Sequence, residues 1–243
     1  MRPTLEEHAG TVRERILSAA AEEFAELGFD GARIDSITRR ANVGKAMVYY
    51  HVGDKASLYE TIFCNSLDRV RGVLERPPVA VQGPQEQLRQ FVRAVVTAAT
   101  EDPNFPPLLL REIAAGGVNL PPPVVARIGS LFEAIRKVLE DGQENGEFLG
   151  FDPAIMHFLI GGSVMVVCGS LALRRRLADL GVMASANTVS PDRLAEEIAY
   201  LFLNGLTRRD AHGHSRPTGV AGADPGAGKP SRARRQATKT KER

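Results

Sequence analysis

Cysteine is nearly absent: Cys64 and Cys168 are the only two in 243 residues. Two thiols so far apart exclude a disulfide framework and a structural zinc cluster, and they fit a reducing compartment. Nothing basic flanks Cys168 within a helical turn to favour its thiolate, so both are read as inert core thiols. The five histidines show no metal-ligand spacing, and neither a metal nor a cofactor is expected. Signals for β-strands are scarce, which points to an all-α protein. Met1 to Gly10 is polar and acidic, with no apolar stretch to serve as a signal peptide, so a cytoplasmic location is expected. Charge of one sign is not in excess either. With a formal net charge of +2, the chain is no indiscriminate polycation, and any nucleic-acid binding has to be local.

Enzyme motifs are missing as well. Gly161-Gly162-Ser163 lacks the second glycine of a nucleophile elbow and lies in a helical setting. Gly44-Lys45 lacks the earlier glycine of a phosphate loop, and Ala46 stands where a magnesium-binding hydroxyl is needed. No enzymatic activity is expected.

What is present is concentrated between Phe29 and Lys55. Ile34, Ile37 and Ala41 give a short helix an inward stripe, Asn42-Val43-Gly44 makes a turn, and Val48 and Val52 pin a second short helix to the core. With Val48 inward, Ala46 and Tyr50 point outward, flanked by Lys45, Met47 and Tyr49. A braced, exposed second helix is what entry into a major groove requires. From Arg33 to Lys55 there are five Lys/Arg against two acids, an excess that alone describes only a solvated face. The spacing carries the reading.

The order Leu27-Gly28-Phe29, Ile34-Asp35-Ser36-Ile37, Val43-Gly44-Lys45, Val48-Tyr49-Tyr50-His51-Val52 and Asp54-Lys55 resembles the N-terminal domain of the TetR family of bacterial repressors. The match is close over about the first quarter of the chain. Carried over by that resemblance, the DNA contacts fall on Lys45, Ala46, Met47, Tyr49, Tyr50 and His51, with a phosphate contact at Lys55. Three positions depart from the family pattern. Gly44 replaces the usual capping Ser, at a cost of only a few tenths of a kcal/mol. Met47 replaces a more usual Thr, exchanging a hydroxyl for an apolar group suited to a thymine methyl. Arg33 stands where Thr or Ser often caps the first helix of the motif, as a phosphate clamp or a solvated residue.

Caps and periodicity predict about nine helices in all. Val12, Ile16, Ala20, Phe24 and Leu27 define the first, closed by Gly28, and Asp54 opens a long connecting helix to about Leu74. Gly83-Pro84 starts another. Phe105-Pro106-Pro107 and Pro121-Pro122-Pro123 read as interruptions bracketing Leu108 to Ala115, followed by a helix from Val124 to Asn145. Asp152-Pro153 and Ser190-Pro191 open the last two. The run Ala154 to Leu173 carries no formal charge over twenty residues and meets the length criterion for a membrane span. Burial in a helical bundle is preferred, because Gly161, Gly162, Ser163, Gly169, Ser170 and His157 interrupt it, and no membrane partner is expected.

Four segments follow: a flexible N-terminus (1–10), a helix-turn-helix domain (11–55), a helical ligand-binding and dimerisation domain (56–207) and a disordered basic tail (208–243). The tail is rich in Gly, Ala, Pro and Ser, with ten Lys/Arg and three acids, and serves either as a DNA-attracting arm or as a solubilising extension. Candidate walls of an effector pocket are Phe63, Leu67, Phe91, Val95, Leu109, Ile113, Phe132, Ile135, Met156 and Phe158, with Asn65, Arg111, Glu112 and His157 as polar anchors. The family resemblance implies a homodimer through the last two long helices, on a double-stranded, palindromic DNA operator, and a repressor released by a small, largely apolar effector. The alternative is a constitutive or architectural DNA-binding protein without a ligand switch.

Overall fold

The computed structural model describes residues 11–75, 83–183 and 190–207; the expected flexible N-terminus and basic tail lie outside them. Ten α-helices occur among the described residues: α1 (Val12–Gly31), α2 (Ile34–Ala41), α3 (Lys45–His51), α4 (Lys55–Leu74), α5 (Pro84–Glu101), α6 (Phe105–Ala114), α7 (Pro122–Glu144), α8 (Pro153–Gly169), α9 (Leu171–Asp179) and α10 (Pro191–Leu206). Among those residues a lone bridge between Phe148 and Thr207 is the only β pairing, so the chain is all-α.

Several helix starts follow from local chemistry. Thr11 and Glu14 form a reciprocal capping box at α1, and the Asp54 carboxylate accepts from the Ser57 backbone N–H at α4, 2.8 Å away. Asp152 accepts from Ala154 and Ile155 at α8, and Ser190 accepts from Arg193 at α10. Gly28 takes φ 73° and a non-helical conformation, which breaks α1 with a kink where the sequence placed its end; a short turn to Gly31 follows. The proline-rich segments begin helices and do not interrupt them. Pro106-Pro107 and Pro122-Pro123 sit inside the first turns of α6 and α7, where their missing N–H groups have no intrahelical partner to lose.

The tenth helix comes from a break in the apolar run. After Gly169 the chain bends by 50°, and Leu171–Asp179 continues as a separate helix. Gly169 is pressed against α6, where an added Cβ would lie 3.2 Å from Leu110 and 3.5 Å from Pro106. Beyond the bend Arg175 and Arg176 are exposed, whereas Arg174 is partly buried. Nor is the run buried all round. Met156, Ile160, Val164 and Met165 face inward, whereas Ile155, Phe158, Leu159 and Val166 are more than half exposed. Among the described residues no single helix is long and apolar enough to cross a membrane; the bent pair passes only when the two are taken together.

Helices α1 to α3 enclose Ile16, Ala20, Phe24, Ile37 and Val48. Their mutual orientation is fixed by Glu23, nearly inaccessible, which accepts from the Ser36 hydroxyl at 2.8 Å and pairs with Arg40 at 3.1 Å. Helix α4 belongs to both halves of the molecule. Its Tyr59 meets Phe24 and Phe29 of α1 edge-on at 4.8 and 4.9 Å, and Phe63 one turn along at 5.0 Å. Beyond it, α5 packs against α4, α7, α8 and α10 as the centre of the larger domain.

Candidate nucleic-acid interface

Helix α3 is seven residues long and rests on α1 and α2. Val48 is fully buried, and the turn before it is shaped by Asn42 at φ 52°, a left-handed conformation that Asn tolerates because its short amide can bond locally. Gly44 caps α3 with an ordinary extended backbone, so the glycine there is not demanded by geometry. At the far end Gly53 is: it takes φ 93°, and a Cβ would lie 3.1 Å from the Ser57 hydroxyl.

The outward face is as the spacing required. Tyr50 is 82% exposed and Tyr49 52%, with Lys45, Ala46 and Met47 also exposed and His51 partly so. The His51 ring stacks edge-on against Tyr50 at 5.0 Å and limits its swing. Lys45 pairs with Asp35 of α2 at 2.9 Å, which holds the Asp35 carboxyl below its usual range and raises the Lys45 ammonium. The ammonium is thus held against the first turn of α2, and the Lys45 side chain stays more than half exposed.

Arg33 sits exposed at the N-cap of α2, where its side chain makes no cap bond and its backbone N–H donates to Glu23. Lys55 is less free than a solvated phosphate contact. Its ammonium donates to the Asp30 carbonyl at 3.2 Å and lies 4.8 Å from the centre of the Phe29 ring. Arg40, counted above in the basic excess, is spent internally on Glu22, Glu23 and Glu26. Arg39 is exposed, and it lines with Thr38, Asn42, Val43 and Gly44 an open concavity of about 460 Å³ beside α3. Residue-by-residue reading missed Arg39; its place at the last turn of α2, next to the turn, was the available signal.

The proposed effector residues separate into groups. Phe91, Phe132 and Phe158 surround His157, with ring centres 5.6 to 6.4 Å away. The His157 Nδ1 is buried without a partner, and burial lowers its pKa, keeping the ring neutral near pH 7. Phe63 belongs instead to the aromatic chain with Tyr59 and Phe105. Leu67, Val95, Ile135 and Met156 are buried and Leu109 is partly so. Ile113 is 52% and Phe158 66% exposed, so neither is enclosed among the described residues.

Two of the polar anchors have other duties. Arg111 donates to the carbonyls of Ala25 and Glu26, at 3.2 and 2.7 Å, tying α6 to α1 just before its bend. Glu112 is buried and accepts from the Tyr59 hydroxyl and from Asn119, which burial and the adjacent carboxylate turn into a strong upward push on the phenol. Asn65 is exposed. Of the four, only His157 sits among the proposed walls.

A short exposed helix braced by two others, joined through a shared helix to a larger helical domain, defines a helix-turn-helix transcriptional regulator. The chain belongs to the TetR family: residues 16–62 match the family model for bacterial regulatory proteins of the tetR family, and residues 81–168 match that for the tetracyclin repressor-like C-terminal domain. It is similar to the HTH-type transcriptional repressor NicS of Pseudomonas putida, 26% identical over 144 residues that span 58% of this chain and 68% of that protein. It is likewise 26% identical over 153 residues to the HTH-type transcriptional regulator RutR of Escherichia coli O157:H7, covering 62% of this chain and 71% of that one. Among solved structures, the ketosteroid transcriptional regulator KstR2 of Mycobacterium tuberculosis superposes with a TM-score of 0.63 at 18% identity, over 82% of this chain and 97% of that one. The chain is a DNA-binding regulator and not an enzyme.

Proposed function

We propose that the protein acts as a homodimeric repressor of a palindromic operator, released when a small, largely apolar molecule enters the larger domain. The observation that carries the dimer is the uncovered stripe on α8 and α10: Ile155, Phe158, Leu159, Val166, Tyr200 and Leu201 are each more than half exposed. Exposed apolar side chains of this kind on the larger domain call for a partner, and a second copy places two α3 helices on one duplex. Lys45, Ala46, Met47, Tyr49, Tyr50 and His51 then face the major groove, with Arg33 and Lys55 toward phosphates. Repression, as in the name of the NicS relative, is the direction assigned.

Release follows if the effector prefers a conformation in which α4 and α6 hold the reader differently, since a ligand shifts an equilibrium only by its differential affinity. Arg111 on α6 and Tyr59 on α4 are among the side chains that join the halves. Sedimentation of the full chain with and without an operator duplex tests the reading. A dimer that binds one duplex is expected; a monomer at micromolar concentration overturns it. Operator affinity that no small molecule alters would favour a constitutive DNA-binding protein.

A further inference from the structure

The cations of the DNA reader differ in what they already hold. Arg40 is bound to Glu22, Glu23 and Glu26, Lys45 is paired with Asp35 at 2.9 Å, and Lys55 rests on the Asp30 carbonyl and the Phe29 ring. Arg39 is exposed, and its guanidinium makes no hydrogen bond or ion pair among the described residues. A cation that already holds a partner must release or share it on meeting DNA, which offsets part of the gain. One that holds none contributes its charge directly. The position of Arg39 is equally specific. It lies one turn after Asp35, at the i,i+4 spacing that places both on one face of α2. The Asp35 carboxyl is held below its usual range mainly by Lys45, and Arg39 adds to that pull, so the three groups share one side of the motif. Lys45 is the first residue of α3, which puts Arg39 beside the start of the exposed helix. There it lines the open concavity of about 460 Å³ with Thr38, Asn42, Val43 and Gly44. The Thr38 hydroxyl already donates to the Asp35 carbonyl at 2.9 Å. The exposed Asn42 amide donates to nothing among the described residues, so it is a second donor group at the same hollow. An open polar hollow does not enclose a small molecule; it can receive a sugar-phosphate strand passing across it.

We propose that Arg39, together with the Asn42 amide, binds a backbone phosphate in this hollow and so sets the register of α3 on the duplex. The inference rests on the reading that α3 enters the major groove, and it adds a contact outside that helix. In helix-turn-helix proteins the first helix crosses the backbone while the second lies in the groove, which brings exposed donors of α2 to the strand at the groove wall. A planar guanidinium spans two phosphate oxygens, so it fixes angle as well as distance.

The salt dependence of duplex binding by the full chain tests it, because a phosphate contact acts on every sequence alike. The probe is a fluorescein-labelled duplex of random sequence, titrated between about 50 and 300 mM KCl and read by anisotropy. Arg39→Gln is expected to lower the salt slope by about one per chain, with an unchanged melting temperature because the side chain is outside the core. Arg39→Lys should keep the slope, since the charge remains. Arg175→Gln, an equal loss of charge at an exposed position of α9, should also keep it. On the unsubstituted chain the duplex should protect Arg39 from phenylglyoxal while Arg175 reacts at its free rate, a readout that survives even if Arg39→Gln fails to fold. An unchanged slope in Arg39→Gln, an equal drop in Arg175→Gln, or an unprotected Arg39 overturns the contact. Arg33→Gln separates this inference from the groove reading beneath it. A lower slope for Arg33→Gln beside an unchanged one for Arg39→Gln overturns the Arg39 contact alone. Unchanged slopes in both, with the wild type bound, overturn the placement of α2 and α3 on DNA as well.

Discussion

The DNA reader and the larger domain both leave hydrophobic side chains uncovered, in different company. On α3, Met47, Tyr49 and Tyr50 stand beside Lys45 and His51, so every apolar group is next to a donor or a cation. On α8 there is no formal charge from Pro153 to Gly169, and Ile155, Phe158, Leu159 and Val166 face outward. A mixed surface of phenols and ammonium suits a polyanion with methyl groups in its groove. An uncharged aliphatic surface suits another surface like itself. Exposure alone does not identify a partner; the charges interleaved with it do.

The sharpest way to break this comparison is to charge the apolar face. Phe158→Glu combined with Leu201→Glu is expected to convert dimers to monomers by sedimentation and to weaken operator binding about a hundredfold, since two half-sites are no longer linked. Val118→Glu, at an exposed position elsewhere, should change neither. On the reader, Tyr50→Ala is expected to cost roughly tenfold in operator affinity with an unaltered melting temperature, because the side chain is outside the core. Unchanged affinity would remove Tyr50 from the reading face.

Smaller effects test the seam between the two regions. Arg111→Ala removes both hydrogen bonds to α1 and should lower stability by about 1–2 kcal/mol, a few degrees of melting temperature. If melting is unchanged, the α6–α1 tie is not a mechanical link. Acid should act through His157. Its folded pKa lies below the ordinary value of about 6.5, so the unfolded chain takes the proton first; stability is full above that pH and is lost as pH falls toward the folded value. Replacing His157 by Phe should flatten the melting curve in that window. The least effect is expected from Lys55→Ala, which should lower the salt slope of DNA binding by about one if Lys55 meets a phosphate. An unchanged slope would leave Lys55 to Asp30 and Phe29 alone.

The exposed face of α3 was legible because it is local. Val48 and the Asn42-Val43-Gly44 turn fix which way seven consecutive residues point, and the structure puts Tyr49 and Tyr50 outward as that spacing requires. The effector side was legible only as composition. Phe91, Phe132 and His157 meet, but they come from α5, α7 and α8, and periodicity on one helix does not say which neighbour it faces. Ile113 and Phe158 were reasonable as walls on their own helices and prove exposed. Arg111 looked like a ligand anchor because a lone cation on an apolar helix has no visible partner in sequence; its partners are carbonyls some 85 residues earlier.

By itself, then, the sequence determined the all-α class, the caps at Asp54, Asp152 and Ser190, and the identity of the DNA reader, all of which depend on residues within a few positions of each other. The tertiary structure alone decided that the apolar run breaks at Gly169, that one of its faces stays uncovered among the described residues, and that Arg40 is consumed by three glutamates. Those outcomes depend on the close approach of segments remote in the chain, α8 against α6 and α2 against α1, and no local preference encodes such an approach.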